Sequence, residues 1–155
     1  MAESSAKLRA LHARVIVLGK RLAWLPLLLL RLNMGVLFAS SGWGKVHSLA
    51  KITGYFETLK IPMPGLNAVV VSTTELVGGA LLILGLGTRF AAAPLAFTMI
   101  IALITAKRGD IHGVADLAST DEFTYLLVLF ALVVLGPGRA SLDEAIARRV
   151  GEQED

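Results

Sequence analysis

Few residues in this chain could do chemistry, and two of them stand where charge is expensive. Arg31 and Glu75 each interrupt an otherwise apolar stretch. An ionisable group in a membrane-length apolar segment costs about 2.5–3.5 kcal/mol on insertion scales, so each needs a partner or a purpose. Lys45 stands at the far end of the stretch that holds Arg31, and His47 and His112 fall in polar connections. An imidazole there can donate a hydrogen bond or carry a proton. No paired spacing such as H-x-x-x-H supports ligation of a metal or haem by these histidines. Cysteine is absent, which excludes disulfides, thiolate nucleophiles and iron–sulfur ligation. Redox chemistry would therefore need a bound cofactor, a substrate or a partner subunit.

Pairing Arg31 with Glu75 fails on direction. Helical side chains lean toward the N-terminus of their own helix, and consecutive spans run opposite ways, so these two heads point apart. Lys45 suits Glu75 better. It leans down from the end of the first span, while Glu75, roughly 10 Å below the boundary, leans up. Ala68, Ser72 and Gly79 share the face of Glu75, and Gly35, Phe38 and Gly42 lie on one stripe between Arg31 and Lys45. Small residues on such stripes mark close helix packing. The pair is expected either to lock the fold or to form the floor of a polar pocket suited to proton transfer. Arg31 is expected to snorkel to headgroups or to meet Asp143, brought back beneath the helices by Gly136-Pro137-Gly138. Trp43 and Tyr125 fall where aromatic belts form.

Four apolar segments must position these groups, at about residues 24–44, 68–86, 90–106 and 121–135. Each of the longer ones matches the roughly 20 residues that cross a bilayer core. With 55% hydrophobic and 17% charged residues in 155, the predicted fold is all-α: one integral membrane domain, a four-helix up-and-down bundle. Pro62, Pro64 and Gly65 are read as ending whatever precedes the second span. Ser119 with Glu122, and Ser141 with Glu144, have capping-box spacing; the second opens a short polar helix over 141–150. Residues 5–22 read as an interfacial amphipathic helix. Leu8, Leu11, Val15, Leu18 and Leu22 form its seam, and Lys7, Arg14 and Arg21 form a basic stripe.

Basic residues set the orientation. Lys7, Arg9, Arg14, Lys20, Arg21, Arg89, Arg139, Arg148 and Arg149 fall on one side, against Lys45, Lys51, Lys60, Lys107 and Arg108 on the other. The richer side faces the cytoplasm, which puts both termini inside and the connections 45–67 and 107–122 outside. The net charge of +3 sits beside the spans, so the expected partner is the lipid bilayer and its anionic headgroups, not nucleic acid.

The blocks RLNMGVLFASSGWGKV, GGALLILGLGTR after Glu75, IHG and LGPGRASLDEAI resemble the DoxX family of small bacterial membrane proteins. The resemblance covers residues 31–146. It implies a four-span bundle in the bacterial inner membrane and membrane-associated oxidoreductase function, some members being subunits of thiosulfate:quinone oxidoreductase. Arg31, Gly35, Gly42, Lys45, Glu75, Gly79, His112 and the Gly136–Asp143 turn fall on family-like positions, whereas Asp121–Tyr125 departs from the usual glycine-rich run. The expected function is a membrane subunit of a quinone-linked oxidoreductase. In it Lys45, Glu75 and His112 act on a quinone bound near the outer face, with Trp43 and Tyr125 beside it. The alternatives are a non-catalytic anchor or assembly subunit, in either case with a protein partner or as a homo-oligomer, and a small-solute transporter. No inverted repeat favours the last.

Overall fold

The computed structural model describes His12 and residues 16–151. Most of the expected amphipathic segment, residues 5–11 and 13–15, lies outside the described residues. Residues 16–22 are helical and lead through a turn at 23–24 into the first long helix. Among the described residues the architecture is all-α. In chain order the helices are α1 (Leu25–Val46), α2 (Leu49–Thr58), α3 (Pro64–Leu84), α4 (Thr88–Thr105), α5 (Val114–Ser119), α6 (Asp121–Leu135) and α7 (Leu142–Gly151).

Three stretches are long and apolar enough to cross a membrane: Ile16–Val46, Pro64–Leu84 and Thr88–Thr105. Their large apolar side chains, Val36, Val77 and Phe97 among them, point outward, as in proteins whose solvent is lipid. α6 has 15 residues, about 22 Å of helix, against a bilayer core of about 30 Å.

α1 and α3 pack most intimately, and their glycines show why. A Cβ on Gly42 would run into the backbone of Leu76, and one on Gly79 into the backbone of Ala39. A Cβ on Gly35 would sit 2.9 Å from the Ile83 nitrogen. The two backbones touch, which only glycine permits. α4 packs along α6, and α3 meets α4 through the tight turn at Gly85–Gly87. Gly85 and Gly87 both have positive φ, so the turn reverses the chain at little steric cost. The core of Met34, Phe38, Leu82, Ala91, Ala92, Leu95, Met99, Leu129 and Leu132 fills the half of the structure nearer that hairpin. At the other half α3 and α4 are not closed by such a core.

Several boundaries differ from the sequence reading. Pro64 occupies the first turn of α3, where its missing N–H is no loss, so the helix starts four residues before the expected span. α2 and α5 lie inside stretches that read as connections. The cap of α6 is Thr120, whose hydroxyl accepts from the Phe123 nitrogen at 3.4 Å. Ser119 instead ends α5 and donates to the Asp116 carbonyl at 2.7 Å, which corrects the Ser119–Glu122 box. The Ser141 box does form at its N–H side, the Glu144 nitrogen donating to the Ser141 hydroxyl at 3.1 Å.

Arg31 neither snorkels nor pairs directly with Asp143. It is 2% exposed and donates to the carbonyls of Pro137 and Ala140, each at 2.8 Å. The Asp143 carboxylate instead accepts from the backbone nitrogens of Gly87 (2.8 Å) and Thr88 (3.3 Å). A carboxylate is stabilised at a helix N-terminus by free N–H groups, and those of α4 lie within its reach. Together the two side chains fasten the 136–143 segment beneath the hairpin end of the helices.

Candidate functional site

At the open half, Lys45 and Glu75 meet. Lys45 is in the last turn of α1 and Glu75 in the middle of α3. The close contact of these helices at Gly42 and Leu76 brings the two stems alongside. The Lys45 Nζ donates to both Glu75 oxygens, at 2.5 and 2.6 Å, and the Ser41 hydroxyl donates to Oε2 at 2.9 Å. Burial is unequal: the Glu75 side chain is 2% exposed, that of Lys45 29%. The carboxylate is thus enclosed and satisfied, while the ammonium turns part of its surface outward. An ion pair at such distances in a dry site is strong only because hydrogen bonds complete it.

That surface faces a cavity of about 490 Å³ between α3 and α4, whose wall is mostly apolar. Such a volume and polarity are those of a small-molecule site. Pro94 and Phe97 of α4 and Val71 and Thr74 of α3 form its sides. A proline inside a helix removes a backbone hydrogen bond, and Pro94 is such a proline, on the wall of the cavity. α2 covers the mouth with Ile52, Tyr55 and Phe56, although none of its residues is buried. Across the cavity, Tyr125 meets Phe38 edge to face at 6.2 Å. Glu122 also lines the cavity and faces Lys107 at 3.8 Å.

Of the expected site residues, Lys45, Glu75 and Tyr125 come together on this cavity. His112 and Trp43 are not among its lining residues. His112 is exposed, and its backbone nitrogen donates to Asp116 at 3.0 Å. Trp43 is 60% exposed and packs against the His47 ring at 4.3 Å. Gly35, Gly42 and Gly79 act in packing, and Arg31 and Asp143 lie at the opposite end. Sequence reasoning missed Ser41 and the covering helix. Ser41 stands one turn before Lys45 on the same face, and Leu49, Ile52, Phe56 and Leu59 have the 3,4,3 spacing of an amphipathic helix, so both signals were present.

The DoxX family model matches residues 26–108, which holds α1 to α4 and therefore both members of the ion pair. An uncharacterized membrane protein of Mycobacterium tuberculosis is 35% identical over 132 residues, 77% of this chain and 80% of its own length. A Bacillus subtilis protein named "Putative oxidoreductase CatD" is 36% identical over 109 residues, 68% of this chain and 73% of its own. The inner membrane protein YqjF of Escherichia coli is 29% identical over 133 residues, 84% of this chain and 98% of its own. No solved structure matches.

Proposed function

We propose, from the premise that this chain belongs to the DoxX family of membrane proteins, that it is the membrane subunit of a quinone-linked oxidoreductase. The observation that carries the reading is the Lys45–Glu75–Ser41 cluster opening onto an apolar cavity. A quinone is an apolar molecule with carbonyl acceptors at its head, and it travels in lipid. The cavity offers it apolar walls and one charged donor. The name of the Bacillus subtilis relative supports an oxidoreductase role.

In this reading α6 is a fourth span. Its short length is met by local thinning of the bilayer, and the result is an up-and-down four-helix bundle. The basic asymmetry puts both termini in the cytoplasm of a bacterial cell and the cavity toward the outer side of the inner membrane. Arg139, Arg148 and Arg149 then lie against cytoplasmic headgroups.

A quinone held there would supply the redox chemistry. The Lys45 ammonium would hold its head oxygen by a hydrogen bond and is the group placed to act there as a proton donor. Glu75, which accepts from the ammonium with both oxygens, would hold it in place. Ser41 fixes the carboxylate so that it does not compete for the ligand. Phe97, Tyr55 and Phe56 keep water from the ring.

The test is binding. Purified protein in nanodiscs should bind a short-chain quinone analogue saturably and carry native quinone detectable by mass spectrometry. Lys45→Arg should weaken binding at least about tenfold while the far-ultraviolet spectrum is unchanged, since a planar guanidinium presents its donors differently. Absence of saturable binding by the wild-type protein refutes the proposal.

A further inference from the structure

The face of α1 turned away from the cavity is exposed, and in a membrane it should be uniformly apolar. Leu29, Val36 and Trp43 meet that expectation. Asn33 does not. It is exposed, it lies near the middle of the apolar stretch Ile16–Val46, and none of the side-chain hydrogen bonds among the described residues involves it. A carboxamide has two donors and an acceptor oxygen with two lone pairs. Left in hydrocarbon without partners, it is costly.

Ser40, seven residues on, is also exposed, and its hydroxyl turns back to the Leu37 carbonyl at 3.0 Å. Gly44 follows one turn later, and a Cβ there would meet nothing within 4 Å. Seven residues are close to two helical turns, so Asn33, Ser40 and Gly44 line one narrow seam. The small pair Ser40-x-x-x-Gly44 lets another backbone approach, and the polar residue below it supplies an interhelical hydrogen bond. Small and polar residues on the buried face are already explained by α3; these lie on the opposite side.

We propose that this seam is the interface of a parallel homodimer, in which the Asn33 carboxamides of two copies bond to each other across the twofold axis. The occupant follows from symmetry. Two copies inserted with the same orientation can be related only by an axis along the membrane normal, so each residue of the seam meets its own mate at equal depth. A carboxamide is complementary to itself, donor to acceptor, whereas a lone charged or donor-only group would not be. A single Asn at such a seam also sets register. This inference needs α1 to cross the membrane but is independent of any ligand in the cavity.

Single-molecule photobleaching in liposomes at graded protein density measures the dimer directly. Wild type should dimerise, Asn33→Leu should weaken dimerisation roughly three- to twentyfold, and Asn33→Gln should retain most of it. Thr73→Val, on the exposed face of α3, should leave it unchanged. Because the chain has no cysteine, Asn33→Cys should give an oxidation-dependent dimer, and Val77→Cys should not. A protein monomeric at every density overturns the proposal, as does unchanged dimerisation in Asn33→Leu. Cross-linking of Asn33→Cys to a different chain would overturn it in favour of a partner subunit. A monomer whose Asn33→Cys thiol becomes reactive only after deletion of residues 1–15 would overturn it in favour of the chain's own N-terminal segment.

Discussion

The unequal burial of Lys45 and Glu75 makes their removal unequal, and this can be measured. Lys45→Met takes two short hydrogen bonds from a carboxylate that is 2% exposed and leaves it only the Ser41 hydroxyl. A buried charge that loses its partner costs about 3–5 kcal/mol. Glu75→Gln is milder. Its amide oxygen still accepts from Lys45, and the ammonium, 29% exposed, can turn toward solvent. The loss is roughly the difference between a charged and a neutral hydrogen bond, about 1–2 kcal/mol after allowance for screening. The double variant holds no stranded charge and should cost about as much as Glu75→Gln alone, which gives a coupling of at least about 2 kcal/mol. Equilibrium unfolding of all four proteins in one detergent system, by denaturant titration or steric trapping, gives the cycle. A coupling below about 0.5 kcal/mol, or a Glu75→Gln loss larger than that of Lys45→Met, would refute the assignment of the carboxylate as the enclosed member.

Other perturbations probe other parts of the fold. Gly79→Ala drives a methyl into the Ala39 backbone and should cost at least about 1–3 kcal/mol in the same unfolding assay, whereas Gly54→Ala, with open space around it, should be neutral or stabilising. Arg31→Lys cannot span the Pro137 and Ala140 carbonyls together. It should lose about 1.5–3 kcal/mol and raise protease cleavage within 136–143. Thr120→Ala should destabilise by about 1 kcal/mol and Ser119→Ala by less, because Thr120 caps α6. A C-terminal fusion should be fluorescent with a cytoplasmic reporter and inactive with alkaline phosphatase; the reverse would overturn the orientation drawn from basic residues.

The ion pair itself was legible in the sequence because it depends on two local rules: the lean of helical side chains toward their N-terminus and the alternation of span direction. Small residues at Gly35, Gly42 and Gly79 likewise announced where α1 and α3 touch, since no other residue allows backbone contact. The length and apolarity of the long segments fixed helices as the form of the chain, because lipid offers the backbone no hydrogen bonds.

Tertiary structure decided the rest. Arg31 was expected to snorkel or to meet Asp143, and it does neither, because the partners of both depend on where the 136–143 turn folds: the carbonyls of Pro137 and Ala140 for Arg31, the nitrogens of Gly87 and Thr88 for Asp143. His112 and Trp43 had suitable chemistry, but His112 lies in a connection, which is placed by the path of the chain, and Trp43 lies on the exposed face of α1, so neither lines the cavity with Lys45 and Glu75. The cavity is a property of no single segment. It exists because α3 and α4 meet at Gly85–Gly87 and α2 lies across the gap. Helical periodicity determines which face a residue occupies; only the packing of one helix on another determines what that face meets.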